Sequence, residues 1–197
     1  MEFLKRLHVT RFLPFIFGLL WASTVSAQSG WSIKFAPLYG VEHTTNRYPD
    51  PPRAVTRTFF GLNVLAGVPL LSLELEGTQA DDRREYPAEN LKVEDRIQRF
   101  MVGLRSTVPA TSWFAVFARA GGRGTLQKTT ITNTTDNTKE VKTPPLSWDP
   151  YAGAGLQIAV GPLLAVSTGV TWIFVKDAPA DVQYSLGFTL KFGQMGN

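Results

Sequence analysis

The 197-residue chain contains no cysteine and only two histidines, and 18% of its residues are charged. Without cysteine, disulfides and thiolate metal ligation are excluded. After residue 27 no uninterrupted apolar run approaches the ~20 residues that a spanning helix needs, which excludes a helical membrane protein over that part. The formal charge is only +4, and Lys5, Arg6, Arg11 and Glu2 contribute +2 of it within residues 1–27. So slight an excess gives no basis for a nucleic-acid partner. Mean hydropathy is near zero. That average fits a soluble domain, and it equally fits a sheet in which every second side chain is apolar.

What is present begins with an address. Lys5, Arg6 and Arg11 surround the start of an apolar stretch, Phe12 to Ala22, and Val25-Ser26-Ala27 follows with small residues suited to a signal peptidase. The expectation is a cleaved signal peptide over 1–27 and one mature domain over 28–197. A membrane anchor is the weaker alternative, because the stretch is short for a span and Pro14 interrupts it.

From Trp31 onward, segments of about ten residues alternate with period two, the signature of strands with two unlike faces. Eight such segments are expected: Trp31–Glu42, Thr58–Gly67, Leu71–Thr78, Arg96–Thr107, Trp113–Gly121, Tyr151–Val160, Leu164–Phe174 and Asp181–Phe192. In the third, Leu71, Leu73 and Leu75 oppose Ser72, Glu74 and Glu76. In the last, Val182, Tyr184, Leu186, Phe188, Leu190 and Phe192 oppose Gln183, Ser185, Gly187, Thr189 and Lys191. Connections after the second, fourth and sixth segments are short and contain Pro69, Pro109 and Pro162. Those after the first, third and fifth are long and polar: His43–Arg57, Gln79–Asp95 and Gly122–Ser147. Short turns at one end and long loops at the other point to an all-β, eight-stranded antiparallel transmembrane barrel with short periplasmic turns and longer external loops.

The two faces favour this barrel over a soluble sandwich. All four tryptophans after residue 27 fall at segment ends, where a lipid interface wants them. Trp31 and Trp113 are placed at the periplasmic rim, and Trp148, Trp172 and Tyr184 at the external rim. On the opposite face Lys34, Glu74, Glu76, Arg99, Arg105, Arg119 and Lys191 point inward, where charges are tolerable only if paired and hydrogen-bonded. Acids of the third segment can meet bases of the fourth and fifth. An eight-stranded interior is about filled by side chains, so a plugged polar core is expected, with inward glycines at 61, 103, 121, 153, 155, 169 and 187 making room for larger neighbours. Pro37 falls mid-strand, where it removes a ladder donor, and a bulge or kink is expected there.

In pattern the chain resembles the small outer-membrane barrel families of the OmpA transmembrane domain, OmpX and the Opa adhesins. The most specific element is the last strand. Ser185, Gly187, Leu190 and Phe192 match the polar, glycine, apolar and aromatic positions of the families' assembly signal, with Gly193–Asn197 following the aromatic. The resemblance implies a bacterial outer-membrane location, lipid and lipopolysaccharide as surroundings, and the barrel-assembly machinery as a partner during biogenesis.

Some small barrels modify lipid A, using a histidine with a serine and an acid near the external rim. After the leader the only histidine is His43. Thr44-Thr45 follows it, Asp81 and Asp82 are the nearest candidate acids, and no serine accompanies it. Nucleophilic chemistry needs an activated nucleophile beside its base, so no catalytic residue is assigned, and His43 reads as a solvated loop residue. Asp81-Asp82-Arg83-Arg84-Glu85 lacks the alternating oxygen ligands of a calcium loop; no metal or cofactor is expected. The second loop is net acidic, the first and third net basic. Lys128–Thr135 is threonine-rich and alternates weakly, as a hairpin extending the fifth and sixth strands would. The expectation is therefore a monomeric, non-catalytic protein for surface interaction, adhesion or envelope integrity, with 79–95 and 122–147 as possible sites for an external protein. A lipid A-modifying enzyme and a small diffusion channel are the alternatives.

Overall fold

Alternation of apolar and polar side chains produces strand at all eight expected places. The chain is seen in a computed structural model that describes residues 31–46, 51–68, 70–176 and 178–195, with side chains as far as residue 190. The expected leader at 1–27, and the side chains of Lys191 and Phe192, lie outside the described residues. The strands are β1 (Trp31–Asn46), β2 (Arg53–Val68), β3 (Leu71–Tyr86), β4 (Leu91–Pro109), β5 (Phe114–Asn133), β6 (Lys139–Lys142), β7 (Ser147–Ala159), β8 (Leu164–Ile173) and β9 (Asp181–Met195). Each ring strand pairs antiparallel with its neighbours, β9 pairs β1, and β4 pairs β5, so the sheet closes on itself. Eight strands form the ring. The ninth, β6, lies outside it as a hairpin on the far end of β5, with Thr129 opposite Lys142 and Thr132 opposite Lys139. Closure leaves the ring without a free edge over its paired length.

The outer face is apolar in a belt and polar beyond it. Leu62, Leu73, Leu75, Val102, Leu104, Val116, Leu156, Leu186 and Phe188 are all exposed on the outside. Along β3 the outward positions run Leu71, Leu73, Leu75, Gly77, then Gln79, Asp81 and Arg83. The belt ends where that change occurs. The architecture is an eight-stranded antiparallel transmembrane barrel, with short turns at one end and longer connections at the other.

Two segments expected to be loops are mostly strand. β3 and β4 stay in register from Ser72↔Arg105 up to Tyr86↔Leu91, and a 3-10 turn at Pro87–Glu89 joins them, with Asn90 in the left-handed region at φ 51°. β5 likewise runs to Asn133, and β6 forms the hairpin anticipated from the threonine-rich stretch. The physical reason is that lipid no longer demands an apolar face above the belt. Alternation of hydrophobicity fades there, while pairing continues through polar partners. Asp81 faces Arg96, Arg83 faces Glu94 and Glu85 faces Lys92 across the β3–β4 ladder, and opposite charges so placed contribute about 0.2–1 kcal/mol per pair.

The bulge expected at Pro37 is absent. The β1–β2 register runs straight through Pro37↔Leu62. Against β9 the pairs at Ala36 and Pro37 are missing, yet the register is the same on both sides of the gap. A strand residue directs its N–H toward one neighbour only, so a proline disturbs one ladder and spares the other. The register shift in β1 lies instead between Trp31 and Ile33.

The interior is also less uniformly polar than expected. Leu38, Phe59, Ala80 and Ile97 form one buried apolar cluster, and Met101, Tyr151 and Ile173 another. Both interrupt a lining of charged and hydroxyl side chains.

Candidate functional site

The barrel lumen holds two charged networks. The one nearer the short turns contains the acids of β3 and bases of β4 and β5 anticipated from the alternation. Glu74 and Glu76 project inward from β3, two residues apart and thus on one face. Arg119 of β5 places Nη1 2.6 Å from Glu76 and 3.4 Å from Glu74. Its Nε and Nη2 donate to the Thr171 hydroxyl at 3.0 and 2.5 Å. Arg105 of β4 reaches Glu74 at 3.9 Å, donates to Gln157 at 3.2 Å, and lies 3.6 Å from the Phe117 ring centroid. The Asn63 amide donates to both glutamates, at 2.7 and 3.1 Å. Two arginines thus balance two carboxylates, with further bonds from side-chain amides and a hydroxyl, while Glu74 Oε2, Arg105 Nε and Asn63 Oδ1 are buried without a partner among the described residues. Buried charges are tolerated where they are paired and hydrogen-bonded.

The second network sits toward the long connections. Glu42 of β1 is fully buried and is the common acceptor of Arg99, of Arg123 at 3.1 Å and of the Gln183 amide at 3.2 Å. Arg123 is also 2.9 Å from Asp181 and 3.6 Å from Asp149. Above them Asp95 accepts from Asn46 at 2.7 Å, from Gln127 at 3.2 Å and from the Thr129 hydroxyl at 2.5 Å. A cavity of about 740 Å³ opens over this network, between the ends of β1, β2, β4, β5, β7 and β9.

Of the expected interior charges, Glu74, Glu76, Arg105 and Arg119 come together, Arg99 belongs to the second network, and Lys34 is half-buried at the other end of β1. Glu42, Arg57, Asp95, Arg123, Asp149 and Asp181 are absent from the expected set. Glu42 closes the first segment; Arg57, Asp95 and Arg123 fall in segments expected to be loops; Asp149 lies between segments, and Asp181 opens the last segment with no face assigned to it. The signal was there in the count of residues. Arg123 lies four beyond Arg119, Arg57 two before Phe59, and Asp181 two before Gln183, so each shares an inward face.

Trp31, Trp148, Trp172 and Tyr184 are exposed on the outer face, and Trp113 is exposed in the turn before β5. Trp148 packs edge-to-face on Phe100, ring centroids 5.0 Å apart. Tyr39 and Phe60, register partners across β1 and β2, are exposed on the same face. In β9, Ser185 and Gly187 turn inward, and Leu190 outward. Gly187 lies against Ser167, whose hydroxyl donates to its carbonyl at 3.4 Å. His43 is a strand residue, not a loop one; it is exposed, with Nδ1 2.7 Å from the Thr56 hydroxyl and its ring edge-on to Tyr184 at 5.8 Å. Asp82 is engaged by Arg84 at 2.7 Å, and Asp81 lies 3.7 Å from Arg96.

No family model matches the chain, and no curated protein matches it in sequence. Solved structures do. Ail, the attachment invasion locus protein of Yersinia pestis, matches with a TM-score of 0.57 at 13% identity, over 84% of this chain and 100% of Ail. The N-terminal β-barrel domain of Pseudomonas aeruginosa OprF gives 0.56 at 11% identity, over 83% and 99%. The fold is that of the small outer-membrane barrels. Neisserial surface protein A gives 0.53 at 12% identity, over 83% and 98%. At these identities the likeness is one of architecture. Ail has also been solved in complex with the heparin analogue sucrose octasulfate.

Proposed function

We propose that residues 1–27 direct export and are removed, and that the barrel resides as a monomer in a bacterial outer membrane, acting without catalysis. Its external ribbons serve surface interaction or envelope integrity. The observation that carries this reading is the pairing of an apolar outer belt with an ion-paired interior on a closed ring, which is stable only with lipid outside. Lipid and lipopolysaccharide then contact the belt and its rims, with Trp31 and Trp113 at the periplasmic interface and Trp148, Trp172 and Tyr184 at the external one. Ser185, Gly187, Leu190 and Phe192 on β9 are the assembly signal read by the barrel-assembly machinery. The parts of 79–95 and 122–147 above the belt are the surfaces offered to an external protein. The Ail complex with a sulfated sugar analogue supports a surface-binding role for this architecture.

The reading is tested by expressing the full chain in a Gram-negative host. The expected result is outer-membrane fractionation, a heat-dependent gel shift, and cleavage at the ribbons by protease added to intact cells. A water-soluble product with no gel shift would overturn it. Lipid A from the same cells is expected to have an unchanged mass, with or without His43→Ala; a new acylation state would replace this reading with an enzymatic one.

A further inference from the structure

Charge is unevenly placed within the second network. Four buried carboxylates, Glu42, Asp95, Asp149 and Asp181, stand against Arg57, Arg99 and Arg123; Asp95 accepts from the neutral groups of Asn46, Gln127 and Thr129, and the other three lie within 4 Å of Arg123. Arg57 is opposite Glu42 in the β1–β2 register. Glu42, however, is already taken by Arg99, Arg123 and Gln183. Arg57 is only 5% exposed, and among the described residues it has no hydrogen bond or ion pair. Arg99, equally buried, uses Nη2 on Glu42 and leaves Nε and Nη1 without a partner. Both arginines line the cavity of about 740 Å³ at the external mouth. Its rim is of another character, with Pro144, Pro145, Leu146, Val175 and Pro179. A concave site of this size, with an apolar wall and a few convergent charged donors, has the make-up of a small-molecule pocket.

We propose that this vestibule binds the oxyanion group of a small soluble molecule. The oxyanion sits against the Nη groups of Arg57, with the charge of Arg99 enclosed behind them, and the body of the molecule lies along the proline rim. Guanidinium forks match carboxylate and phosphate oxygens in geometry as well as charge. Arg123, held among its carboxylates, fixes the floor and does not take part. The interior beneath is packed, so the ligand is captured at the mouth. The site does not depend on what the external ribbons bind.

The test is calorimetric titration of the purified full-length barrel in detergent with phenyl phosphate, inorganic phosphate and benzyl alcohol. Phenyl phosphate is expected to bind saturably, one per barrel, more tightly than inorganic phosphate, and benzyl alcohol not at all. Arg57→Gln is expected to weaken phenyl phosphate binding at least about tenfold, with Arg57→Lys recovering part of it and Arg96→Gln, exposed on the outer face of β4, unchanged. The heat-dependent gel shift verifies that each variant is folded. Absence of saturable binding by the unaltered protein would overturn the proposal, and so would equal binding by folded Arg57→Gln. The same titration in lipid nanodiscs with and without lipopolysaccharide separates the sources. Undiminished affinity supports a soluble ligand; affinity lost to lipopolysaccharide assigns the site to a membrane-borne phosphate and overturns the soluble one.

Discussion

Glu74 is wholly buried, within 4 Å of Arg105 and Arg119, and accepts a hydrogen bond from Asn63. Replacing it with alanine would leave Arg105 with no carboxylate and Arg119 with Glu76 alone. An uncompensated buried charge costs far more than the pair it came from, so Glu74→Ala is expected to lower stability by about 3–5 kcal/mol. Arg83 makes its ion pairs with Glu94 and Glu85 while well exposed, and Arg83→Ala is expected to change stability by less than about 1 kcal/mol. Urea unfolding of the barrel in micelles measures both. Similar losses for the two would show that the interior pairs carry no special weight. At this scale much of the site could be read from the chain. Glu74, Glu76, Arg105 and Arg119 lie inside strands whose opposite face is greasy, and the contrast between faces reveals which way they point. Arg57 and Arg123 lie where that contrast has faded, so only the count from a neighbour places them.

The strands extend this lesson. Lipid imposes alternation only across the belt, and the ten-residue segments found in the sequence are the belt-spanning parts of longer strands. β4 has 19 residues and β5 has 20, whereas a tilted strand crosses a bilayer with about 9–11. The excess has the look of loop in the sequence because its outward side chains are polar, although its ladder is continuous. Substitution along β4 should expose the boundary. Val102→Arg, in the belt, is expected to destabilise the folded barrel in bilayers by about 2–4 kcal/mol, and Gln98→Arg, beyond the belt edge marked on β3, by about 0–1 kcal/mol. Equal effects would mean that the belt extends further than its apolar residues. The ribbon also responds to acid. Lys92 donates to Glu94 and adds its positive charge, holding that carboxyl below the ordinary glutamate range. A carboxyl depressed in the folded state stabilises it at neutral pH, and the contribution is lost as pH falls through the lowered value. Backbone amides from Leu91 to Ile97 are therefore expected to exchange faster in acid, after correction for intrinsic rates, than at neutral pH; Glu94→Gln should remove that difference.

For the molecule as a whole, a packed lumen and a closed ring argue against passive flow. Arg105, Arg119 and Met101 fill the cross-section together with Phe117 and Tyr151, and all are buried. Planar bilayers containing the protein are expected to show no stepwise conductance of porin size, and steady steps would mean that the networks part under voltage. The ring is also uneven in height. β7 and β8 have 13 and 10 residues against the 20 of β5, and a strand rises about 3.4 Å for each residue. The molecule consequently has a front and a back. A body approaching the end with the longer connections is fenced off on one flank and meets a low sill on the other, so admission to the mouth depends on compass bearing as well as on chemistry.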